Sequence, residues 1–393
     1  MTKAKKKPAA KKTKRWLFPV LAIPLIGIAL LLALSAAVLS HAGEYVAAED
    51  IADRLTVGTG VYGPALSPRI VDVKEKLYAR VAPDIVALGS ARIDQFRAED
   101  FSQSFVNLSG AETLDEVTRL CTQLFAAKKP KAVILALDDW WFHGDGNAAV
   151  SLRAPESGKP STSGFVALAG LYAAGGLSIS DVKTILTSST DDRGINGILH
   201  GDGFDRSGAY AYRSIWTGAA PSPDKLFVKS RDSIAQGGGV FAWGDDVAPD
   251  QWQKLTGLLD FLQQQNIAVF IFLPPVAPTV LDAMAASGKY GYVNGLRLKV
   301  SELAAAYHMP LFDDHDIRFA GSNDCEFIDG LHPGAIALKR ALLDMAMKEP
   351  SMRELLKLPE IGWAIEHAKG QASALAGEAD FLGLGCRKTP ANP

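Results

Sequence analysis

The chain contains 393 residues, of which 48% are hydrophobic and 21% are charged. This composition provides enough apolar residues for a folded core, and it excludes a disordered, collagen-like or disulfide-framework protein. The 41 Lys and Arg residues nearly balance the 43 Asp and Glu residues, which leaves a formal net charge of -2. Because there is no basic surplus, we expect no nucleic-acid partner.

The amino terminus separates charge from hydrophobicity. Residues 1–15 carry eight Lys and Arg residues and no acidic residue, whereas residues 16–40 carry no charge. At about 1.5 Å per helical residue, the uncharged segment is long enough to cross about 30 Å of hydrocarbon. Since basic flanks stay in the cytoplasm, the sequence predicts a cytoplasmic tail over 1–15, a transmembrane signal anchor over 16–40 and an exported remainder.

A cleaved secretory signal is the alternative for this segment. Ala33 and Ser35 are small residues that suit a cleavage site. The apolar region of a signal peptide is usually only about 7–15 residues long, which is shorter than the segment here. We therefore expect a single-pass protein of the inner membrane, with its carboxyl-terminal domain in the periplasm or outside the cell.

Three cysteines occur in the chain, and an oxidising compartment would allow two of them to pair. Cys121 lies in an apolar helical pattern, so the favoured disulfide joins Cys325 and Cys386. Three unpaired thiols remain the alternative.

Strand and helix patterns alternate from residue 81 to residue 350. Short apolar strands are predicted at residues 84–88, 105–108, 131–137, 267–273 and 310–312. Helices are predicted over residues 113–129, 251–266 and 292–308, with a last helix after Pro333. The first of these helices has Thr113 as its expected N-cap, with Glu116 three residues later. The alternation indicates an α/β fold with a parallel sheet covered by helices on both faces.

Three other regions depart from this alternation. Residues 41–80 are expected to be a linker, and residues 351–393 a carboxyl-terminal extension without a site. Residues 143–244 are rich in Gly, Ser and Asp, and they interrupt the predicted sheet as an insertion. A helical pattern over residues 177–189 suggests that the insertion forms a cap, although a loosely ordered loop region is the alternative.

Small and hydroxyl-bearing residues follow the first two predicted strands. In a doubly wound sheet, ligands bind beyond the carboxyl ends of the strands. Ser90 follows the first strand and is a candidate nucleophile, while Gly110 follows the second and is a candidate oxyanion donor through its backbone N–H. Each has an ordinary explanation as well, since Ser is a common N-cap and Gly a common turn residue.

The strongest chemical signal is the segment DGLHPG, which contains Asp329 and His332. An aspartate three residues before a histidine can accept the imidazole Nδ1–H within a tight loop, which leaves Nε2 to act as general base for a serine. The sequence thus predicts a Ser90, Asp329 and His332 triad. A helix-capping aspartate beside a surface histidine is the ordinary alternative.

The motifs LGSAR, NLSG and DGLHPG together resemble the SGNH (GDSL-like) hydrolase superfamily. The resemblance implies a flavodoxin-like, three-layer α/β/α sandwich. It also implies that Ser90 is the nucleophile, that Ser90 and Gly110 contribute to the oxyanion hole, and that Asp329 and His332 complete the triad. No cofactor and no metal are implied.

The third block of the superfamily pattern is altered. Its usual Gly-x-Asn is replaced by LDDWWF, and an ionised carboxylate cannot donate the hydrogen bond that asparagine donates. Asp139, Trp140 and Trp141 of this segment are candidates for substrate binding, and so is Arg92, which follows the first strand. For the aromatic residues a place in the core is the alternative, and for Arg92 a solvated surface position. The acidic segment 313–316 is expected to be a solvated loop.

A narrower resemblance links the chain to membrane-anchored SGNH-like proteins of envelope polysaccharide acylation. It implies an O-acetyltransferase that works on an envelope or extracellular polysaccharide through an acyl-Ser90 intermediate, next to a multi-spanning membrane acyltransferase. A carbohydrate esterase is the first alternative. The second is a non-catalytic glycan-binding or scaffolding component.

Overall fold

The computed structural model describes residues 14–66, 70–144, 162–374 and 377–386. Its strands are β1 (Ile85–Gly89), β2 (Phe105–Ser109), β3 (Ala132–Ala136), β4 (Gly203–Phe204), β5 (Tyr210–Ala211), β6 (Ala268–Leu273) and β7 (Leu311–Asp313). Its α-helices are α1 (Lys14–Ala42), α2 (Ala48–Val57), α3 (Ile70–Val81), α4 (Leu114–Ala127), α5 (Thr162–Ala173), α6 (Ile179–Thr187), α7 (Ile195–His200), α8 (Arg213–Trp216), α9 (Val228–Gln236), α10 (Pro249–Gln264), α11 (Pro278–Ser287), α12 (Gly291–Tyr307), α13 (Ala335–Lys348), α14 (Pro350–Glu354) and α15 (Leu358–His367).

The fold is α/β, with a five-stranded sheet in the order β2-β1-β3-β6-β7. Every pair of neighbouring strands in this sheet is parallel. The five predicted strands and the parallel sheet are therefore confirmed. The N-cap of α4 is confirmed as well, since the Thr113 hydroxyl accepts the backbone N–H of Glu116 at 3.2 Å.

Alternate residues along each strand join two different hydrophobic clusters. In β1, Ile85 and Ala87 belong to one cluster, whereas Val86 and Leu88 belong to the other. The first cluster includes residues of α11 and α13, and the second includes residues of α4, α10 and α12. Side chains of a strand alternate between the two faces of its sheet, so the two clusters contact opposite faces of β1.

Two regions are more ordered than the sequence suggests. Residues 41–80 form α2 and α3, which pack on each other, instead of a plain linker. The described part of the insertion contains α5 to α9 and the antiparallel pair β4 and β5, so it is not a loosely ordered loop.

One helix among the described residues, Ala22–Ala42 within α1, is long and apolar enough to cross a membrane by length and composition. Its carboxyl-terminal end packs against the insertion, where Val38, Leu39 and Ala42 are fully buried. Cys325 and Cys386 form a disulfide with a Cα to Cα distance of 5.4 Å, while Cys121 is buried as a free thiol. This pairing is the one that the sequence favours.

Candidate active site

Ser90 is the first residue beyond β1, at the carboxyl edge of the sheet, and it is half-buried. It caps a short 3-10 turn, Ala91–Ile93, and its Oγ accepts the backbone N–H of Arg92 at 3.2 Å. The preceding Gly89 is required by close packing, because a Cβ there would lie 2.8 Å from the Cβ of Ala136 on β3. The strand therefore ends tightly packed against its neighbour, and the serine hydroxyl begins the loop.

Asp329 and His332 form a closed pair within the loop that precedes α13. The Nδ1 atom of His332 lies 2.9 Å from Oδ1 and 2.8 Å from Oδ2 of Asp329. Asp329 Oδ1 also accepts the backbone N–H groups of Leu331 at 2.8 Å and of His332 at 2.9 Å. The carboxylate thus fixes both the loop and the imidazole, and the Nε2 edge of the ring is turned away from it.

The surroundings of this pair favour an ionised aspartate and a basic histidine. Partial burial opposes the charge on His332, but the negative charge of Asp329 and its hydrogen bond raise the pKa of His332 overall. Burial also opposes the charge on Asp329, yet the attraction of His332 and three hydrogen bonds lower the pKa of that carboxyl. The histidine side chain remains 32% exposed, so a substrate can reach it.

The loop of His332 lies at the carboxyl edge of the sheet, because the N–H of Ala277, shortly after β6, donates to the carbonyl of Gly330 at 3.1 Å. Asp94 raises the pKa of His332 and Arg92 lowers it, and both residues are in the turn that begins with Ser90. Among the described residues, however, no hydrogen bond joins Ser90 Oγ to His332. The Ser90 hydroxyl instead lies close enough to Asp138 to lower the pKa of that carboxyl. The structure brings the three predicted residues to one edge and leaves the serine–histidine bond unmade.

The backbone N–H of Gly110, the predicted oxyanion donor, already donates a hydrogen bond within the protein. Gly110 has a φ of +105°, a conformation that favours glycine, and its N–H donates to the carbonyl of Gly89 at 3.0 Å. The N–H of Ala111 donates to the same carbonyl at 3.0 Å. To bind an oxyanion, Gly110 would have to share or give up this hydrogen bond.

Arg92 and Asp139, which the sequence predicts to bind substrate, are both buried with internal partners. The Arg92 side chain is 1% exposed, so it is not a solvated surface residue either. It contacts Asp138 at 3.2 Å and donates to the carbonyls of Pro274 and Pro275. Arg92 therefore ties together the ends of β1, β3 and β6 at this edge.

Asp139 pairs with His315, which the sequence analysis placed in a solvated acidic loop. Its Oδ2 lies 3.1 Å from Nε2 of His315, although both ring nitrogens of His315 lack a well-aligned hydrogen bond within the described residues. Burial raises the pKa of Asp138 and of Asp139 to about 6, and burial together with Arg92 lowers the pKa of His315 to about 3. His315 is thus neutral at physiological pH.

The expectation of a solvated acidic loop at residues 313–316 is wrong for two of its members. Asp314 is 0% exposed and His315 is 2% exposed, because the loop folds under α13 and against the end of β3. Within the residues that the structure covers, no group of three or more His, Cys, Asp and Glu side chains is arranged to hold a metal ion.

The two predicted aromatic residues have different positions. Trp141 is 1% exposed and belongs to the hydrophobic core, which is the alternative that the sequence analysis gave for the aromatic residues. Trp140 is half-buried, with the guanidinium of Arg92 at 5.5 Å from its ring centroid. Of the two, only Trp140 is accessible enough at this edge to contact a sugar.

Sequence reasoning missed a polar chain that reaches the site from the insertion. Tyr212 donates its hydroxyl to Asp94 at 3.1 Å, and Asp94 also accepts the hydroxyl of Ser109. Lys74 of α3 donates to Ser109 Oγ at 2.6 Å, and its burial lowers its pKa to about 8. A lysine on the apolar face of α3 was the available signal for this chain of hydrogen bonds.

A cavity of about 300 Å³ lies at the opposite, amino-terminal edge of β6 and β7, away from Ser90. It is lined in part by Gln263, Asn266, Tyr307 and Ser351. No residue of the candidate active site lines this cavity, so it has no part in the chemistry at Ser90.

Comparisons with known proteins do not assign the chain to a family. No protein-family model matches the chain, and no curated protein matches it. The resemblance to SGNH hydrolases therefore rests on the sequence motifs alone.

Proposed function

We propose that the protein is an SGNH-type serine acyltransferase that moves an acetyl group onto a hydroxyl of an envelope or extracellular polysaccharide. The observation that carries this proposal is the Asp329–His332 pair, partly exposed at the same sheet edge as Ser90. The two hydrophobic clusters on the faces of the parallel sheet support the three-layer α/β/α sandwich of that superfamily.

The reaction has two steps with the same histidine. In the first step, Ser90 Oγ attacks the acyl carbonyl while His332 Nε2 takes the hydroxyl proton, and the donor alcohol leaves with that proton. In the second step, a sugar hydroxyl gives its proton to His332 and attacks the acyl carbon of acyl-Ser90. The bond between the acyl group and Ser90 Oγ breaks, and protonated His332 returns the proton to Ser90 Oγ. Asp329 holds the imidazole and stabilises the imidazolium that forms transiently.

The reaction needs the Ser90 hydroxyl to turn from Asp138 towards His332. The hydroxyl oxygen accepts the N–H of Arg92, so its single proton is free to be donated to another group. Rotations of partly exposed side chains take picoseconds to nanoseconds, which is fast compared with enzymatic turnover.

Two features favour transfer over hydrolysis. An anchor at α1 would keep the domain at the membrane face, where a multi-spanning acyltransferase could pass on the acyl group at an effective concentration of about mM. The insertion packs on the ends of β1 and β2, since Asn107 N donates to Ser207 O at 2.7 Å and Tyr210 N to Asp94 O at 3.0 Å. That cover helps to exclude water, which competes with sugar hydroxyls at about 55 M.

A non-catalytic glycan-binding role is the second candidate, and one observation favours it. The N–H of Gly110 is bonded to Gly89, and carboxylates occupy the position of the third oxyanion donor. An active site without prepared oxyanion donors loses much of its stabilisation of the transition state. A binding protein would have no need of such donors.

The test is acetyl transfer by the full-length protein in detergent micelles. A chromogenic acetyl ester is supplied with and without oligosaccharide acceptors, and acetylated sugars are detected by mass spectrometry. We expect acetylated sugar from the wild type and none from Ser90→Ala or His332→Ala. Release of acetate alone would favour the esterase, and neither product with any variant would favour the binding protein.

A further inference from the structure

Helix α5 presents an apolar surface that the rest of the described chain leaves uncovered. Its 12 residues, TSGFVALAGLYA, include no charged side chain. Val166 is 67% exposed, and Ala167, Ala169, Gly170 and Ala173 are exposed beside it. The apolar surface continues to Ile179 at the start of α6, which is 91% exposed, and ends at the charged residues of that helix.

The opposite face of α5 is packed against the end of α1. Leu168 is fully buried in a cluster with Val38, Leu39 and Ala42. The approach is close at the start of α5, where a Cβ at Gly164 would overlap the hydroxyl of Tyr45. Helix α5 therefore lies beside the end of α1, and the preceding part of α1, from Ile23 to Leu34, exposes large apolar side chains.

The connection between α1 and the insertion is rigid. Glu44, 0% exposed, follows α1 and accepts the backbone N–H groups of Ala65 at 2.9 Å, Leu66 at 3.0 Å and Ile195 at 2.8 Å. Ile195 begins α7, so the carboxylate joins the end of α1 to the insertion. A buried carboxylate with three such donors holds its surroundings in one arrangement.

We propose that the outward face of α5 is seated in the outer leaflet of the membrane, beside the end of α1, with lipid acyl chains as its occupant. Helix α5 is too short to span the membrane, because 12 residues cover only about 18 Å of the required 30 Å or so. Its uncovered residues are apolar, and placing them among acyl chains removes that surface from water. The position of α5 beside the end of α1 selects lipid over a soluble partner.

Insertion of α5 into the membrane would fix the orientation and distance of the candidate active site relative to the membrane surface. The same insertion that carries α5 also carries Tyr212, whose hydroxyl donates to Asp94 beside Ser90. The inference rests on α1 being a membrane anchor, but it does not depend on catalysis by Ser90. It therefore survives or fails separately from the proposed acyl transfer.

The test uses the reactivity of single cysteines in the full-length protein. The wild type offers no accessible thiol, since Cys121 is buried and the other two cysteines are joined. Val166→Cys and Ala169→Cys probe the outward face of α5, and Ile28→Cys probes α1. Leu298→Cys is the matched control, because Leu298 on α12 is 69% exposed and Val166 is 67% exposed. Each variant is placed in nanodiscs of phosphatidylethanolamine and phosphatidylglycerol and treated with a membrane-impermeant maleimide.

We expect Val166→Cys and Ala169→Cys to react more slowly than Leu298→Cys by about tenfold or more, because the thiol reacts only in molecules whose helix has left the lipid. A fluorophore at position 166 should also be quenched by brominated acyl chains. Reaction of both α5 variants as fast as Leu298→Cys would overturn the proposal, and so would fast reaction of Ile28→Cys. Protection in native membranes but not in nanodiscs would show that a protein, and not lipid, covers α5.

Discussion

Two aspartate–histidine pairs lie at the carboxyl edge of this sheet, and they have opposite properties. Asp329 and His332 approach to 2.8 Å, and the histidine side chain is 32% exposed. Asp139 and His315 approach to 3.1 Å, and that histidine is 2% exposed. The pKa of His332 is raised, whereas the pKa of His315 is lowered to about 3.

The difference comes from the surroundings of each pair and not from the distance between its members. His315 is fully enclosed, lies near Arg92 and Arg297, and makes no aligned hydrogen bond within the described part of the chain. Asp329 accepts the Nδ1–H of His332 in addition to two backbone N–H groups, so it remains ionised beside the ring. These surroundings suit the first pair to reactivity and the second to packing.

The largest expected effect is on the rate at which Ser90 is labelled, which should fall when His332 is replaced and much less when His315 is replaced. His332→Ala should slow the reaction of Ser90 with a fluorophosphonate by about 10²–10⁴-fold, because it removes the general base. The free energy of unfolding should change little, since the His332 side chain is partly exposed. Labelling kinetics and chemical denaturation measure the two effects. An equal loss of rate in His315→Ala would break the contrast between the pairs.

The next prediction concerns how much the disulfide near His332 contributes to the stability of the protein. Cys325 and Cys386 close a loop across 61 positions, which predicts that replacing both by serine lowers the free energy of unfolding by about 4 kcal/mol. Urea denaturation of the purified protein, with and without reductant, measures this loss. An unchanged midpoint in the double variant would show that the tail adds no stability to this region.

Replacing a member of the buried Asp139–His315 pair should lower the stability of the protein. His315→Ala removes a fully enclosed ring, and large-to-small changes in such places lower the free energy of unfolding by about 2–4 kcal/mol. The fluorophosphonate rate of the folded fraction should fall much less than in His332→Ala. His308→Ala serves as a control, because His308 lies at the carboxyl end of α12, before β7 and away from the carboxyl edge of the sheet. A variant as stable as the wild type would contradict the packing role.

The smallest effect concerns pH. Neutral His332 is the base, so the labelling rate should rise with pH through a midpoint above 6.5, the usual pKa of histidine. Asp94 contributes to the raised pKa, and Asp94→Asn should therefore move the midpoint to lower pH. Asp115→Asn on α4 is the control with no expected shift. A midpoint that moves upward in Asp94→Asn would contradict the electrostatic account.

Local features of the site could be predicted from the sequence. A spacing of three residues and a following Pro-Gly restrict Asp329 and His332 to a tight loop, and the predicted contact is present at 2.8 Å. Four of the five strands were recognisable because each is a short apolar run buried on both faces, whereas in β7 only Phe312 is fully buried. Ser90 was located by its position after the first of them.

Contacts between distant parts of the chain could not be predicted. The partners of Arg92 are 46 and 182 to 183 residues away, and no pattern near Arg92 indicates that the side chain is enclosed. Tyr212 reaches Asp94 across 118 residues through the insertion. The sequence predicted residue types suited to chemistry, but it did not predict which of them are buried.

The central claim is that Ser90 is a nucleophile activated by His332. The most direct measurement is fluorophosphonate labelling of the full-length protein, with the modified peptide identified by mass spectrometry. The account predicts one adduct on Ser90 in the wild type and in Ser104→Ala, an exposed serine before β2, and none in Ser90→Ala. Equal labelling of Ser90→Ala and the wild type, or an adduct on another serine alone, would contradict it.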